Sequence, residues 1–492
     1  MLIEIPEIPP IPDSERTPLV EALLGIIEIQ RSMLKEQAKL LAAQEIRITE
    51  LESENSRLKE RIARLEKNSS NSSKPPSSDI TKPESEQRQP GKRKIGGQKG
   101  HQGSFRQAFS HEEIDRRLKL KLTKCPDCHS ALERTDAVQT HQQAELREKP
   151  VIVTEYQLQG GHCPCCKKIV YPELPSGVIP SQLMGPRLLS LFGYMKAGMG
   201  VSISELREFS DEILKLNISR STVQSALFRV SDALLPAYEE LKKAIPEQPA
   251  LNIDETGWKE NGKRQWVWLF CNKLIAFFVI SKSRGCQVLK DVLGENFLGT
   301  LTSDFYCAYV SYASPKQQFC LAHLIRDIKY LITLPDDTSK KFGIRLLAYM
   351  KRLFKLWHSR QTLTPEQWNK KSRRFKACLR QFLFSQKFNK KTDAHRIQRR
   401  LIKHWAATFR FLDDPVLYEP TNNHAERTLR PVVRLRRISQ GSRGQAGSDW
   451  TQRAASVMAT CRLQKKSVWN FFLQAVNANQ FGTLTPRLIQ GT

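Results

Sequence analysis

The chain has 492 residues, 40% of them hydrophobic, which is enough for two or more folded domains with buried cores. Lys and Arg number 78 against 50 Asp and Glu, so a polyanion, first of all a nucleic acid, is expected to offset the net charge of +28. Residues 1–14 lack the basic and apolar regions of a signal peptide, and no apolar run approaches the roughly 20 residues of a membrane helix. We therefore expect a cytoplasmic protein associated with the nucleoid.

After a tail of residues 1–17, residues 18–67 carry a seven-residue apolar repeat. Its first seam position holds Asn55 and five apolar residues, which are Ile27, Leu34, Leu41, Ile48 and Ile62. The companion position holds Leu51, Leu58 and Leu65. Because an Asn at the first seam position fixes the register of two-stranded coils, we predict a leucine-zipper-like coiled coil that forms a homodimer or higher oligomer. A single amphipathic helix packed on its own domain is the alternative.

Residues 68–112 change composition to Ser, Pro, Gly, Lys and Gln, as in SSNSSKPPSSD and KRKIGGQKGHQG. Such a segment has too few apolar side chains to form a core of its own. The composition predicts a flexible basic linker between the coiled coil and the domains that follow it.

Two Cys-x-x-Cys pairs mark residues 113–180 as a zinc-binding domain. The pairs are Cys125 with Cys128 and Cys163 with Cys166, and each lies on a predicted turn. Two such pairs can present four thiolates to one tetrahedral Zn²⁺, so we expect a structural zinc ion rather than free thiols. Cys165 and His162 are neighbouring side chains that could replace a ligand. The segment VIVTEYQLQGGH is predicted to be a strand leading to the second pair.

Residues 181–246 have a helical pattern. The stretch SISELREFSDEILKLNISRSTVQSALFRV reads as helix, turn and helix, with Ser219 or Ser221 as the N-cap of the second helix. In a helix-turn-helix this second helix would present Arg220, Ser221, Thr222 and Gln224 to a DNA groove. The same pattern fits ordinary helical packing.

Residues 247–460 are predicted to form a catalytic domain. Three β-branched and aromatic runs indicate a meander, followed by a helix, a fourth strand, a fifth strand and another helix. That order is typical of an RNase H-like sheet, in which the first and fourth strands are neighbours. Asp254 on the first strand and Asp304 at the end of the fourth are therefore expected to share two Mg²⁺ or Mn²⁺ ions, which suit carboxylate ligands and phosphodiester chemistry.

A third acid is expected on a helix beyond the sheet, and Glu426 in TNNHAERTLRPVVRLRR is the candidate. Asn422 or Asn423 can cap this helix. Arginines on the same helix could contact the scissile phosphates, and these are Arg427, Arg430, Arg434, Arg436 and Arg437.

A helical insertion at about residues 335–415 separates Asp304 from Glu426. Between Lys340 and Lys403, 20 Lys or Arg stand against two acids, a local charge of +18. We expect this insertion to lie against DNA phosphates, with its aromatic residues in the helical core rather than stacked on bases.

Several segments, among them NIDETGW, QFCLAHLIRDI and EPTNNHAERTLRPVV, resemble the large transposase of the insertion sequence 66 family, and the likeness covers nearly the whole chain. The resemblance implies strand cutting and joining at the ends of a mobile element, with Asp254, Asp304 and Glu426 as the catalytic, Mg²⁺-binding acids. Cys320 and His323 match a Cys-x-x-His signature found after the second acid, which implies His323 at a strand end near the active site, either as a structural histidine or in contact with DNA. Arg326 is a further candidate DNA contact. Some relatives belong to elements that encode accessory proteins.

We therefore expect a multidomain α+β protein: coiled coil, four-Cys zinc element, helical DNA-binding region, RNase H-like catalytic domain with a basic helical insertion, and a C-terminal helix and tail at residues 461–492. Its predicted function is that of a bacterial insertion-sequence transposase acting on element ends and target DNA. A non-catalytic DNA-binding protein derived from a transposase and an RNase H-type nuclease are the alternatives. Gln440 in RRISQGSRG stands where relatives usually carry an apolar or aromatic residue.

Overall fold

A computed structural model describes residues 10–12, 15–67, 108–133, 138–312 and 316–489. Most of the predicted tail (residues 1–17) and linker (residues 68–112) lies outside these ranges. The α-helices are α1 (Pro18–Leu65), α2 (Pro186–Tyr194), α3 (Ile203–Glu212), α4 (Arg220–Ala233), α5 (Leu235–Ala244), α6 (Gln287–Leu293), α7 (Cys307–Tyr312), α8 (Leu321–Thr333), α9 (Asp337–His358), α10 (Pro365–Phe384), α11 (Asp393–Lys403), α12 (Trp405–Phe409), α13 (Asn423–Ser439), α14 (Gln445–Leu463) and α15 (Val468–Phe481).

The strands are β1 (Gly161–His162), β2 (Ile169–Val170), β3 (Ala250–Glu260), β4 (Lys263–Cys271), β5 (Ala276–Ser281), β6 (Thr300–Ser303) and β7 (Gln317–Phe319). β1 pairs with β2, and the larger sheet has the order β5-β4-β3-β6-β7. This mixture of helix and sheet agrees with the predicted α+β class. Within the described ranges, no helix combines the length and apolar character needed to cross a membrane.

The described residues divide into two compact units. Unit 1 takes its residues from Met1–Gln87, Pro249–Ile253 and Glu295–His424, and unit 2 takes them from Arg88–Gln248, Asp254–Gly294 and Ala425–Thr492. Strand β3 and helix α13 each contribute residues to both units. The two units are described separately below.

In unit 1, the start of β3 pairs in parallel with β6, and β6 pairs in parallel with β7. The register places Asn252 opposite Thr302, and Thr302 opposite Gln318. All four residues of β6 are buried, although three of them are Thr or Ser. Their burial is tolerated because polar groups here find partners, as when the Thr300 and Tyr418 hydroxyls meet at 2.9 Å. The predicted fourth and fifth strands are thus present.

The predicted insertion forms helices α9 to α12, which surround a large apolar core together with α8. Each helix buries one face, following the three- and four-residue spacing of its apolar side chains. The aromatic residues lie in this core as expected: Trp357, Trp368 and Phe382 are buried, and Phe375 and Phe388 pack against them. Phe384 differs, because its side chain is exposed.

In unit 2, β4 and β5 form an antiparallel hairpin whose outer edge is covered by α14. Side chains on α14 accept hydrogen bonds from three alternate backbone N–H groups of β5: Thr460 from Ala276, Ser456 from Phe278 and Gln452 from Ile280, at 2.9–3.1 Å. One helical turn and two strand residues advance by similar distances, so side chains four apart on a helix can match every second strand residue. The edge strand is thereby protected from pairing with another chain.

Helices α2 to α5 confirm the helical pattern predicted for residues 181–246. Ser219 is the N-cap of α4, because its hydroxyl accepts from the Thr222 N–H at 3.1 Å. The inner face of α4 is buried, whereas Arg220 and Gln224 are exposed. The α3–α4 connection, residues 213–219, is longer than the three- or four-residue turn of a helix-turn-helix.

The C-terminal end of α13 is joined to β3 by a tight turn. Gln440 has φ 57° and Gly441 has φ 121°, so both lie in the left-handed region. Beyond them, Ser442 donates its N–H to the Lys259 carbonyl at 2.9 Å and accepts from the Asn261 N–H at 2.8 Å. A Cβ on Gly441 would stand 2.1 Å from the Lys259 oxygen, so only glycine fits at this position.

We predict that Gln440→Gly stabilises the protein and Gly441→Ala destabilises it. Gln440 is exposed in a left-handed conformation that costs a non-glycine residue about 1 kcal/mol, and glycine removes that cost. Gly441→Ala should cost about 1–3 kcal/mol through its clash with the strand. Thermal unfolding of both variants measures these effects. Gln440→Ala is the control and should leave the melting temperature unchanged, since it keeps the strained backbone. A Gly441→Ala variant as stable as the wild type would contradict the described turn.

Candidate active site

The side chain of Asn422 is a hydrogen-bonded clamp in unit 1. It is 3% exposed, and its Nδ2 donates to the Ile253 carbonyl at 2.7 Å. Its Oδ1 accepts from Asn252 Nδ2 at 2.9 Å. Its backbone N–H points to Cys320 Sγ at 3.1 Å. Both ends of one buried amide therefore bond to the last two residues that β3 contributes to unit 1.

Two backbone hydrogen bonds extend this clamp. The Cys320 N–H donates to the Ser303 carbonyl, and the Leu321 N–H donates to the Pro420 carbonyl, both at 2.8 Å. The ends of β6 and β7 and the residues preceding α13 are thus joined in one network. The sequence predicts Asn422 as a possible cap of α13, which it directly precedes, and the structure adds side-chain hydrogen bonds to the strand.

The three candidate acids follow closely on this network along the chain. Asp254 comes directly after Ile253, and Asp304 comes directly after Ser303. Glu426 lies in the first turn of α13, four residues after Asn422. Asp304 is half-buried, and its Oδ1 accepts from the Tyr306 N–H at 2.9 Å, so this carboxylate is oriented by its own turn.

In unit 2, Asp254 is followed by a buried ion pair. The Glu255 side chain is 4% exposed, and its Oε1 accepts from Arg284 at 2.7 and 2.9 Å. The Arg284 guanidinium also lies 4.5 Å from the centre of the Trp266 ring. Because a buried carboxylate is costly unless it is paired, Arg284 holds this part of β3 in place. No local sequence pattern predicts this pair, because Glu255 and Arg284 are 29 residues apart.

The buried thiol of Cys271 links Asp254 with α13 inside unit 2. Burial, and then the negative charge of Asp254, raise the pKa of Cys271 above its ordinary value, while a hydrogen bond with Thr428 opposes them. Thr428 lies two residues after Glu426 on α13. The Cys271 thiol therefore interacts with Asp254 on the strand and with Thr428 on the helix, and both residues belong to the predicted catalytic motifs.

The arginines of α13 fall into two groups. Arg436 donates to Thr256 Oγ1 and to the Gly257 carbonyl, both at 2.7 Å, and Arg434 donates to the Gly198 carbonyl at 2.8 Å. Arg436 thus fastens α13 to β3 just beyond Asp254. The remaining predicted DNA contacts on this helix, Arg427, Arg430 and Arg437, are exposed.

His323 lies in the first turn of α8, so its expected position at a strand end is wrong. Strand β7 stops at Phe319 and Cys320 immediately precedes the helix. His323 and Arg326 are both half-buried on α8. Cys320 is buried and bonded to Asn422, which gives the cysteine of this signature a structural contact in unit 1.

The two cysteine pairs form turns with the same bonding pattern. Cys125 accepts from the His129 N–H at 3.0 Å, and Cys163 accepts from the Lys167 N–H at 2.9 Å, through their carbonyls. Hydrogen bonds with Ser130 lower the pKa of Cys128, and those with Cys166 lower the pKa of Cys163. In the described part of the chain, however, no three of the four thiols lie within 4.8 Å of one another.

The strand before the second pair is shorter than predicted. Only Gly161 and His162 are in β1, and residues 152–160 pair with no strand in the described ranges. Alternating apolar residues favour a strand, but a strand forms only where a neighbour supplies hydrogen bonds.

Comparison with known families identifies the class of protein. A family model described as Transposase IS66 family matches residues 181–449, more than half of the chain. This class of protein acts on DNA. The chain belongs to the IS66 family of transposases, which confirms the resemblance seen in its motifs. A second model, described as Family of unknown function (DUF6444), matches residues 27–107. A search of curated proteins found no match.

Proposed function

We propose that this transposase cuts and joins DNA strands with two Mg²⁺ or Mn²⁺ ions held by Asp254, Asp304 and Glu426. The Asn422 clamp carries the proposal, because Asp254 and Asp304 follow directly on residues that its hydrogen bonds join, and Glu426 lies four residues after Asn422. The register adds support: Asn252 is opposite Thr302, and each candidate aspartate stands two residues further along the chain. The strand order β5-β4-β3-β6-β7, with an antiparallel β4–β5 hairpin and parallel β6 and β7, supports the proposal of an RNase H-like catalytic domain.

The donor set fits these ions. Carboxylate oxygens are hard ligands, and two carboxylates close together are tolerated when a divalent cation neutralises them. When bound, such ions would activate the attacking water or 3′-hydroxyl and stabilise the oxygen that leaves phosphorus. Glu426 in the first turn of α13 lies where the helix dipole favours a negative charge. Exposed Arg427 and Arg430 on the same helix would hold the DNA phosphates on either side.

We predict that Asp254→Ala, Asp304→Ala and Glu426→Ala each reduce strand cleavage by about three orders of magnitude or more, because ligands of one site act as a unit. Full-length protein is incubated with labelled element-end DNA and Mg²⁺, and nicked and joined products are resolved on a denaturing gel. DNA binding in EDTA should be retained by all three variants.

Two further outcomes separate the alternatives. Nicked products without joined ones would indicate an RNase H-type nuclease, and DNA binding with no cleavage by the wild type would indicate a non-catalytic protein. Asp291→Ala, which removes an exposed acid on α6, is the control and should cut as the wild type does. Undiminished cutting by Asp254→Ala would rule out the proposed triad.

The basic insertion is the proposed surface for nonspecific DNA binding. Of the 20 Lys and Arg between Lys340 and Lys403, 17 are exposed. The paired cations are few and include Arg400, which binds Asp327, and Lys376, which binds Asp413, both at 2.6 Å. With the apolar face buried in the core, the outer face presents positive charge to the DNA backbone. Exposed Arg220 on α4 is a second proposed DNA contact.

We predict that replacing Arg373 and Arg374 together with Ser weakens DNA binding and makes it less sensitive to salt. Each lost phosphate contact should reduce the slope of log affinity against log salt by about 1, hence roughly 2 in total. Fluorescence anisotropy with element-end and unrelated DNA at several salt concentrations measures the slope. Replacing Lys242 and Lys243, which are exposed on α5, is the control and should leave it unchanged. Equal slopes for both double variants would exclude the insertion as the DNA surface.

We also propose that Cys125, Cys128, Cys163 and Cys166 bind one structural Zn²⁺. The two matching turns and the lowered thiol pKa of Cys128 and Cys163 favour thiolate ligands. Replacing Cys125 and Cys128 with Ser should release one zinc ion per chain and weaken DNA-end binding, as measured by native mass spectrometry and anisotropy. Replacing exposed Cys307 and Cys378 is the control and should release none. Unchanged zinc content in the first variant would contradict the site.

Helix α1 is the proposed coiled coil with a second copy of the chain. Among its side chains only Ala63 is buried, while the seam residues Ile27 to Leu65 are 40–75% exposed. Gln30, Gln37 and Gln44 hold the companion position in the first half of the repeat, so the leucines of the second half are its stronger part.

We predict that Leu58→Asp lowers the oligomeric state measured by multi-angle light scattering, because two buried carboxylates would face each other across the seam. Ser53→Asp lies on the outer face of the repeat and should leave assembly unchanged. Intact assembly of Leu58→Asp would rule out the coiled coil and favour the alternative, a single amphipathic helix packed on its own domain.

A further inference from the structure

We propose that Asn422 is a positioning residue for metal binding, whose amide sets where the proposed acids meet the ions. The inference rests on the proposed function and concerns a residue whose two side-chain amide atoms both bond to protein groups. Its basis is the position of the clamp. One buried amide bonds at 2.7 Å to the carbonyl directly before Asp254, and its own residue leads into the helix turn that carries Glu426.

The hydrogen bonds fix which way the amide faces. Nδ2 must point to Ile253, because a carbonyl oxygen can only accept, and Oδ1 must then face the amide of Asn252. If the Asn422 amide were flipped, its Oδ1 would face the Ile253 carbonyl oxygen, and its Nδ2 would face the Nδ2 of Asn252. The side chain therefore has one arrangement, and this arrangement holds the start of β3, at Asn252 and Ile253, at a set distance from the residues that begin α13.

The contact of Asn422 with Cys320 connects Asn422 to the end of β6 as well. The Asn422 N–H meets Cys320 Sγ, and the Cys320 N–H bonds the Ser303 carbonyl, which directly precedes Asp304. Asn422 is thus linked by one hydrogen bond to Ile253, the residue before Asp254, and by two hydrogen bonds through Cys320 to Ser303, the residue before Asp304. Groups that orient metal ligands in this way typically change metal affinity about 10- to 100-fold when they are removed.

A buried amide elsewhere in unit 1 provides the matched control. Gln398 is 7% exposed, and its Nε2 donates to the Leu383 and Gln386 carbonyls at 2.6 and 2.9 Å. It resembles Asn422 in burial and in donating to backbone, but it holds a connection between α10 and α11. Replacing Gln398 should lower stability because buried hydrogen bonds are lost, but it should leave the positions of the three acids unchanged.

The test titrates Mn²⁺ into metal-free full-length protein and follows free Mn²⁺ by electron paramagnetic resonance, so that affinity is measured without DNA or turnover. Asn422→Ala should weaken Mn²⁺ binding about 10- to 100-fold and lower strand cleavage at limiting metal, with partial recovery at high metal. Gln398→Ala should bind Mn²⁺ as the wild type does, although both variants melt at lower temperature. Asn252→Ala keeps the bond to Ile253 and should weaken Mn²⁺ binding less, which provides a milder variant if Asn422→Ala folds poorly.

The outcomes separate this inference from the proposed function. The positioning role alone would be overturned if Asn422→Ala and Asn252→Ala bound Mn²⁺ as tightly as the wild type. It would also be overturned if Gln398→Ala lost as much Mn²⁺ affinity as Asn422→Ala. If Asp254→Ala binds Mn²⁺ as tightly as the wild type, the proposed triad itself fails, and the inference with it. The expected result is a loss of Mn²⁺ affinity in Asn422→Ala, Asn252→Ala and the acid variants, and no such loss in Gln398→Ala.

Discussion

The buried amide of Asn422 is the interaction that joins the start of β3 to the residues before α13, and the proposed site would depend on it. An amide buried without partners costs about 1–3 kcal/mol, so a position like this one is stable only if the strand carbonyl and the Asn252 side chain are in place. The same requirement excludes other alignments of strand and helix, because a shift of one residue would leave the amide unsatisfied. The polar contact thus specifies an arrangement that apolar packing alone would leave less defined.

Helix α13 is held by different kinds of hydrogen bond at its two ends. Those at its start lie in unit 1, and those at its end lie in unit 2. At its start Asn422 supplies side-chain hydrogen bonds to β3, and at its end Ser442 bonds to the backbone of β3 after a left-handed turn. Between them Arg436 bonds to Thr256 and Gly257. A helix held at intervals along its length can carry a functional residue in a fixed rotation. This suits Glu426, whose side chain would have to face metal ions rather than solvent.

The sequence predicted those parts that local patterns determine. Alternating β-branched and aromatic residues identified β3, β4 and β5, and the strand order correctly made β3 and β6 neighbours. The Asn422 clamp was missed because an Asn before a helix fits the capping pattern equally well, and its partner Ile253 is 169 residues away. Residues 152–160 failed as a strand for the converse reason, since their alternation is local but a strand requires a neighbour. His323 was placed on the strand because one residue separates β7 from α8.

The basic insertion shows why charge and specificity must be assigned to different parts of this transposase. Its helices bury aromatic and aliphatic side chains inward and leave 17 cations outward, so its affinity for DNA would come from phosphates that are the same in every sequence. An enzyme that acts on particular ends needs base contacts or shape recognition as well. The exposed polar face of α4, with Arg220 and Gln224 projecting from a helix whose other face is buried, has the side chains that can make such contacts. The insertion would then hold DNA of any sequence, and recognition of the ends would have to come from surfaces of this second kind.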